Sequence, residues 1–274
     1  MSLVRIEPLG SGVMRLVLAR PAMQNALVPE LLDDLLTALS QVGQSADCCA
    51  VVLAADGPAF SIGGDMRRFQ RERQGQLHTY AAGLVGKLNE AILALIDLPQ
   101  PVVAAVHGVV TGGSIGLVLA ADLVYLAPQA AFKAHYATAG FGPDGGWTAL
   151  VGRLAGPRRA ASALLLNRTV RADDAVAWGL ANEVVAAEQL QEIANAAARK
   201  IAAYPAGTMR AAKALLRSDR ERLAADLEAE RRRFLELIDT PQARAGVDDF
   251  LHRFQDYPDS AESQEGTGGQ DAST

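Results

Sequence analysis

Two stretches of this chain share one grammar, and it constrains the fold more than any other feature. The first is "VVLAADGPAFSIGGDM" (51–66) and the second "PVVAAVHGVVTGGSIGLVLAAD" (101–122). Each opens on a short apolar run of strand length, passes through paired glycines, and enters a segment able to start a helix. The rest of the chain extends the pattern. "VRIEP" and "VMRLVLA" read as strands around Gly10-Ser11-Gly12, a hairpin signal. Leu31, Leu32, Leu35, Leu36 and Leu39 recur at helical spacing between Pro29 and Val42. "CAVVLAA" reads as a buried strand. Leu77, Tyr80, Leu84, Leu88, Ile92 and Leu95 mark a long amphipathic helix. "VVAAV" and "LVYLA" are further strands, and the run after Gly112 is long enough for a helix. Strands alternating with helices predict an α/β fold. From about residue 187 only helical signals remain.

A chain of 274 residues suffices for one large domain, or a domain with an appendage. Leu98 to Ala121 carries no Asp, Glu, Lys or Arg, which could suggest a membrane span. Pro99, Gln100, Pro101, His107 and the glycines argue instead for two buried elements joined by a turn, and no membrane is expected. The N-terminus lacks the apolar stretch of a signal peptide. Cys48 and Cys49 are neighbours and make a poor staple, which points to a reducing, cytoplasmic setting. The net charge is −5 with no basic block, so a small molecule is expected and a nucleic acid is not. Leu223, Leu227, Phe234 and Ile238 share one face of a charge-rich helix that could pack on its own core or on another subunit. Residues 256–274 are polar and acidic and read as a mobile tail.

Gly112-Gly113-Ser114-Ile115-Gly116 fits G-x-S-x-G, the pattern of a hydrolase elbow with Ser114 as nucleophile. An elbow needs its serine directly after a strand, and here five residues intervene between Val106 and Gly112. No lysine follows the glycines as a phosphate loop requires, and a dinucleotide fingerprint fails on spacing. Glycines before a helix do supply backbone N–H donors at a positive dipole end, and they let a ligand oxygen come close. Two such units could together clamp a thioester carbonyl; each alone reads as a tight turn.

Four motifs together resemble the enoyl-CoA hydratase/isomerase (crotonase) family. They are "LARPAMQNAL" (18–27), "PAFSIGGDM" (58–66), "PVVAAVHGVVTGGSIGLVLAAD" (101–122) and "GFGPDGGWTALVGRLAG" (140–156). The resemblance covers about residues 3 to 255. It implies a spiral of ββα turns over about 1–200 and a helical region over about 201–255 that serves in assembly, as a homotrimer or a dimer of trimers. It implies an oxyanion hole from the N–H groups of Ile62 and Gly113, with an acyl-CoA as substrate and no cofactor or metal. CoA would lie along Gln24, Ala26 and Leu27 and along Ala59, Phe60, Gly63, Gly64, Asp65 and Met66, with Gly112 beside the thioester and Trp147 lining the acyl pocket. Asp65 also reads as a helix cap, and Asn25 as a turn former.

Hydratases of this family use two glutamates. The positions that match them are Gly116 and Tyr136, neither a carboxylate. Gly116 moves no proton, and a phenol of ordinary pKa near 10 is a poor base at neutral pH, though it can donate a hydrogen bond. Asp144 is the first replacement; some acyl-CoA isomerases and a dehalogenase of the superfamily place a working aspartate at or near it. As Pro-Asp-Gly-Gly before an apolar run, the same residue reads more simply as a helix N-cap. His135 comes second, with an imidazole suited to proton transfer. His78 could reach the site from the long helix, and His107 reads as structural. Isomerisation needs one base and survives this loss better than hydration; the alternative is a homologue that binds acyl-CoA without turnover.

Overall fold

The structure is a computed structural model that describes residues 2–72, 75–217 and 219–253. The expected mobile tail, 256–274, lies outside the described residues. The chain begins with a hairpin of β1 (Val4–Gly10) and antiparallel β2 (Val13–Leu18). Its turn holds Gly10, Ser11 and Gly12 all at positive φ, which two glycines make inexpensive. Then follow α1 (Pro29–Gln44), opened by its proline, and β3 (Ala50–Ala55). Next come α2 (Met66–Arg71) and α3 (Leu77–Asp97). Strands β4 (Val102–Val106) and β5 (Val109–Thr111) lead through one 3₁₀ turn, Gly112–Ser114, into α4 (Ile115–Leu119). The helix expected after Gly112 is this turn and the five residues that follow it.

Each later unit repeats the same move. Strand β6 (Leu123–Leu126), β7 (Ala131–Lys133) and α5 (Tyr136–Ala139) form the next turn of the spiral. Then come α6 (Val151–Ala155), α7 (Pro157–Leu165), β8 (Val170–Arg171), α8 (Ala172–Ala177) and β9 (Glu183–Val184). Two sheets result, one ordered β1-β2-β3-β4-β6-β9 and one ordered β5-β7-β8. From β2 to β9 the larger sheet is parallel. In the first glycine unit Ser61 bridges Val110 in parallel and takes a strand's place beside the smaller sheet. The smaller sheet was not legible in the sequence, because strands of two or three residues carry no periodicity.

Strand β3 is buried along its whole length, as an apolar run without alternation requires when both faces are covered. Val51, Leu53 and Ala55 face one core with α1 and α3; Ala50, Val52 and Ala54 face a second, under α9 (Leu190–Ala202). Helix α3 is apolar and long enough to cross a membrane, but Leu84, Leu88, Ile92 and Leu95 are buried in this core. Each such side chain stabilises the fold by about 1.5–3 kcal/mol.

The C-terminal helices are α10 (Ala206–Leu216), α11 (Arg220–Leu237) and α12 (Pro241–Arg253). Buried Lys213 ties α10 down: its ammonium donates to the carbonyls of Leu95 and Gln100, both at 3.0 Å, and pairs with Asp122 at 3.1 Å. Helix α11 crosses α3, and Leu223, Leu227, Phe234 and Ile238 are all buried within the single chain. Of the two readings of that stripe, these four side chains take the first: they pack on the protein's own core, while Leu237 beside them stays exposed.

Candidate active site

The two glycine loops meet edge to edge. Thr111 N–H donates to the Ser61 carbonyl at 3.0 Å. The Ser114 hydroxyl donates to the carbonyls of Thr111 (2.7 Å) and Ser61 (3.2 Å), both on these loops. A hydroxyl spent on two carbonyls is a cross-link, and the nucleophile reading of Ser114 fails on this geometry. Gly63 sits at φ 75°, where an added Cβ would lie 2.6 Å from the Thr111 carbonyl oxygen; only glycine allows so close an approach. Asp65 caps α2 through Arg68 N–H at 3.2 Å and pairs with Arg20 at 3.0 Å. Asn25, at positive φ, accepts from Arg20 N–H and donates to the carbonyls of Asp56 and Ala59. Both residues hold the first loop in place.

Between the loops opens a largely apolar cavity of about 60 Å³. Of the residues expected at the site, Leu27, Ile62, Gly63, Gly64, Met66, Gly112, Gly113, Tyr136 and Asp144 all line it, as does His135. Gly113 stands within the opening 3₁₀ turn, where an N–H has no preceding carbonyl of the turn to bond. The Ile62 N–H is engaged: it donates a long, 3.3 Å hydrogen bond to the Gln24 carbonyl. An acyl oxygen would have to compete with that bond.

Other expected residues lie around the cavity and not on its wall. Ala26, Ala59 and Phe60 are core residues, Asp65 is held by its cap and ion pair, and Gln24 is half-buried at a left-handed turn. Any contact from Phe60 to a ligand is thus limited to its backbone. Trp147 does not line the pocket: it is fully buried, and its indole N–H donates to the Gly112 carbonyl at 2.8 Å, behind the loop. His78 is exposed and outside the cavity lining. His107 shares a 2.8 Å hydrogen bond with the Gly57 carbonyl, a structural contact between the loops. Among the described residues, no three His, Cys, Asp or Glu side chains converge to hold a metal.

Asp144 is not a helix cap. Gly145 and Gly146 follow it at φ 63° and 95°, so no right-handed helix can start there, and the next helix begins only at Val151. Its carboxylate turns instead onto Gly113: a Cβ added there would lie 3.0 and 3.1 Å from the two oxygens. The Tyr136 hydroxyl donates to Asp144 Oδ1 at 2.5 Å and to the Asp144 carbonyl at 3.0 Å. Burial is the main reason that the Asp144 carboxyl is pushed up to about 7; the Tyr136 hydrogen bond opposes the shift and the charge of Glu230 adds to it. Burial and the neighbouring aspartate push the Tyr136 phenol well above its ordinary range, so it remains a donor. Burial, helped by Lys133, lowers His135 to about 4, which leaves its ring neutral and weakly basic.

Glu230 was missed in the sequence. Its carboxylate reaches from α11 and accepts from the N–H groups of Gly146 (2.7 Å), Thr148 (2.6 Å) and Ala149 (2.8 Å) and from the Thr148 hydroxyl (2.5 Å). A signal was present: Glu230 lies three residues after Leu227 and four before Phe234, on the apolar face. An acid at a core position needs partners, and these are they.

A two-sheet spiral whose successive turns deliver glycine loops to one apolar cavity defines the crotonase class of folds. The chain belongs to the enoyl-CoA hydratase/isomerase family, whose sequence model matches residues 9–259. It is 30% identical over 194 residues to 4-chlorobenzoyl coenzyme A dehalogenase-2 of an Arthrobacter species, covering 71% of this chain and 70% of that one. It is 32% identical over 194 residues to the 1,2-epoxyphenylacetyl-CoA isomerase of Escherichia coli, covering 71% and 74%. A crystal structure of an enoyl-CoA hydratase/isomerase from Xanthobacter autotrophicus matches with a TM-score of 0.83 at 27% identity, over 92% of this chain and 94% of that one.

Proposed function

We propose that this protein takes a CoA thioester through its enolate with Asp144 as the single acid–base group, so that its reaction is double-bond isomerisation and not hydration. One observation carries this reading: Asp144 is the only carboxylate among the described residues of the cavity wall, held against Gly113 and poised near pH 7. With a 3-enoyl thioester, the Asp144 carboxylate removes a proton from C2. The electron pair moves onto the thioester oxygen, held by the Gly113 N–H and, once it yields the Gln24 carbonyl, the Ile62 N–H. The Asp144 carboxyl then returns its proton to C4. Hydration would need a second group to activate water, and each such group is worth ~10²–10⁴-fold. Gly116 and Tyr136 supply none.

The CoA moiety would run outside the cavity along Gln24 to Leu27 and the loop from Ala59 to Met66. Phe69, Phe141, Phe234 and Phe250 wall the acyl side, which favours a bulky or aromatic acyl group; relatives named for 4-chlorobenzoyl and epoxyphenylacetyl thioesters accord with that. Self-association would use not the buried 223–238 run but exposed Leu165 and Leu166 at the end of α7 and Leu215 and Leu216 at the end of α10. Light scattering that gives a monomer at micromolar concentration would refute it.

The test of the chemistry compares crotonyl-CoA hydration with 3-enoyl-CoA isomerisation, aliphatic and aryl-substituted, in wild type and Asp144→Asn. Isomerisation lost in the variant with acyl-CoA affinity retained supports the proposal. Rapid hydration that Asp144→Asn leaves intact overturns it. Acyl-CoA binding without turnover in either protein would identify a non-catalytic binder.

A further inference from the structure

We infer that Glu230 is a positioning residue for Asp144: from α11 it gathers the backbone donors of the loop that carries Asp144 and sets a second buried carboxylate behind the first. The inference rests on Asp144 being the working group of the site. Its geometry is independent of any substrate. Two consecutive glycines at positive φ keep the N–H groups of Gly146, Thr148 and Ala149 out of the helical ladder that starts at the Gly146 carbonyl, so these N–H groups need an external acceptor. Glu230 Oε1 takes Thr148 N–H, Thr148 hydroxyl and Ala149 N–H, while Oε2 takes Gly146 N–H. Four donors on one carboxylate that is 4% exposed make a built anion cradle. The cradle fixes Gly145, whose position is tight: a Cβ there would fall 2.3 Å from Gly113. Moving the loop would therefore move Asp144 and Gly113 together.

The second effect is electrostatic. Charge on Glu230 makes charge on Asp144 costlier, so Asp144 keeps its proton to a higher pH. Few other groups face this pair. Tyr136 and His135 come from the α5 side, α3 contributes the apolar side chains of Leu84, Val85 and Leu88, and Asp226 and Arg233 border the open groove behind Glu230 on α11. Tyr136 donates to Asp144 and His135 is neutral at pH 7, which leaves Glu230 as the acidic neighbour; burial raises its own pKa as well, and its four donors oppose that rise.

The experiment follows the carboxyl carbons of [¹³C]aspartate-labelled full-length protein by NMR from pH 4 to 9, with Asp144 assigned by its loss in Asp144→Asn. It needs no turnover, so a failure of the isomerase reading stays separate from a failure here. Glu230→Gln should lower the proton affinity of Asp144 by roughly tenfold, the scale of one neighbouring charge. Thr148→Val removes a hydroxyl donor but keeps the charge, and should leave the midpoint in place. An unmoved midpoint in a folded Glu230→Gln, or an equal fall in Thr148→Val, overturns the inference. Should Glu230→Gln not fold, wild-type protein carrying [¹³C]aspartate and [¹³C]glutamate is titrated instead: Glu230 must lose its proton at a lower pH than Asp144 does, since only a charged Glu230 can hold the Asp144 proton, and a Glu230 midpoint above that of Asp144 also overturns the inference.

Discussion

The Tyr136 hydroxyl donates to the Asp144 carboxylate across 2.5 Å, and the two side chains stand together on the wall of one cavity. Tyr136 is thus a donor that steadies a neighbouring acid. The hydrogen bond favours charged Asp144 while burial disfavours it, and burial wins.

Tyr136→Phe should raise the Asp144 pKa above its value of about 7, because the bond it removes favours the ionised form. Proton abstraction needs that ionised form. The pH profile of kcat/KM for isomerisation should therefore move to higher pH, with activity depressed at pH 7 and largely regained near pH 9. A profile that falls without moving would assign Tyr136 to packing alone.

Asp144→Asn should change how stability depends on pH. The folded-state pKa of Asp144, about 7, lies above its ordinary value of 3.8, so the folded protein holds the proton more tightly than the unfolded chain does. Wild-type stability is then lost as pH rises from about 4 to 7, where folding must bury a charge. Asparagine has no charge to bury, so its Tm advantage should be larger at pH 8 than at pH 5. A constant Tm difference across that range, read by thermal melts, would count against a buried titrating aspartate.

Placing a side chain at Gly116 should not make the protein a hydratase. A Cβ there would lie 2.3 Å from both the Gly145 carbonyl oxygen and Ile92 Cδ1. Gly116→Ala should destabilise by about 1–3 kcal/mol in urea unfolding, the usual cost of overpacking, and Gly116→Glu should gain no hydration of crotonyl-CoA. Hydration appearing in Gly116→Glu would mean that the Asp144 loop gives way more easily than its contacts indicate.

Lys213→Met should cost about 3 kcal/mol, measured by denaturant titration. Burial lowers the Lys213 pKa, opposed by Asp122, and removing the cation leaves Asp122 poorly compensated and two carbonyls without their donor. Removing both charges in Lys213→Met with Asp122→Asn should recover part of the loss.

The sequence by itself determined the alternation of strand and helix, the hairpin at Gly10-Ser11-Gly12, the two glycine loops and the lack of carboxylates at positions 116 and 136. Periodicity, turn chemistry and residue identity are local properties, readable without neighbours. Only the tertiary structure decided what Asp144 does. Pro-Asp-Gly-Gly has the letters of a helix cap, but the Asp144 loop is held by Glu230 from 84 residues away and so turns its carboxylate onto Gly113 instead. Trp147 went the same way: an aromatic beside the site reads as pocket lining until its indole is found bonded behind Gly112. The apolar stripe of α11 was visible, but whether it met the protein's own α3 or a second subunit was not, since a stripe says only that it must be covered. Desolvation and long-range partners set the chemistry of this cavity, and both are properties of packing that no window of sequence contains.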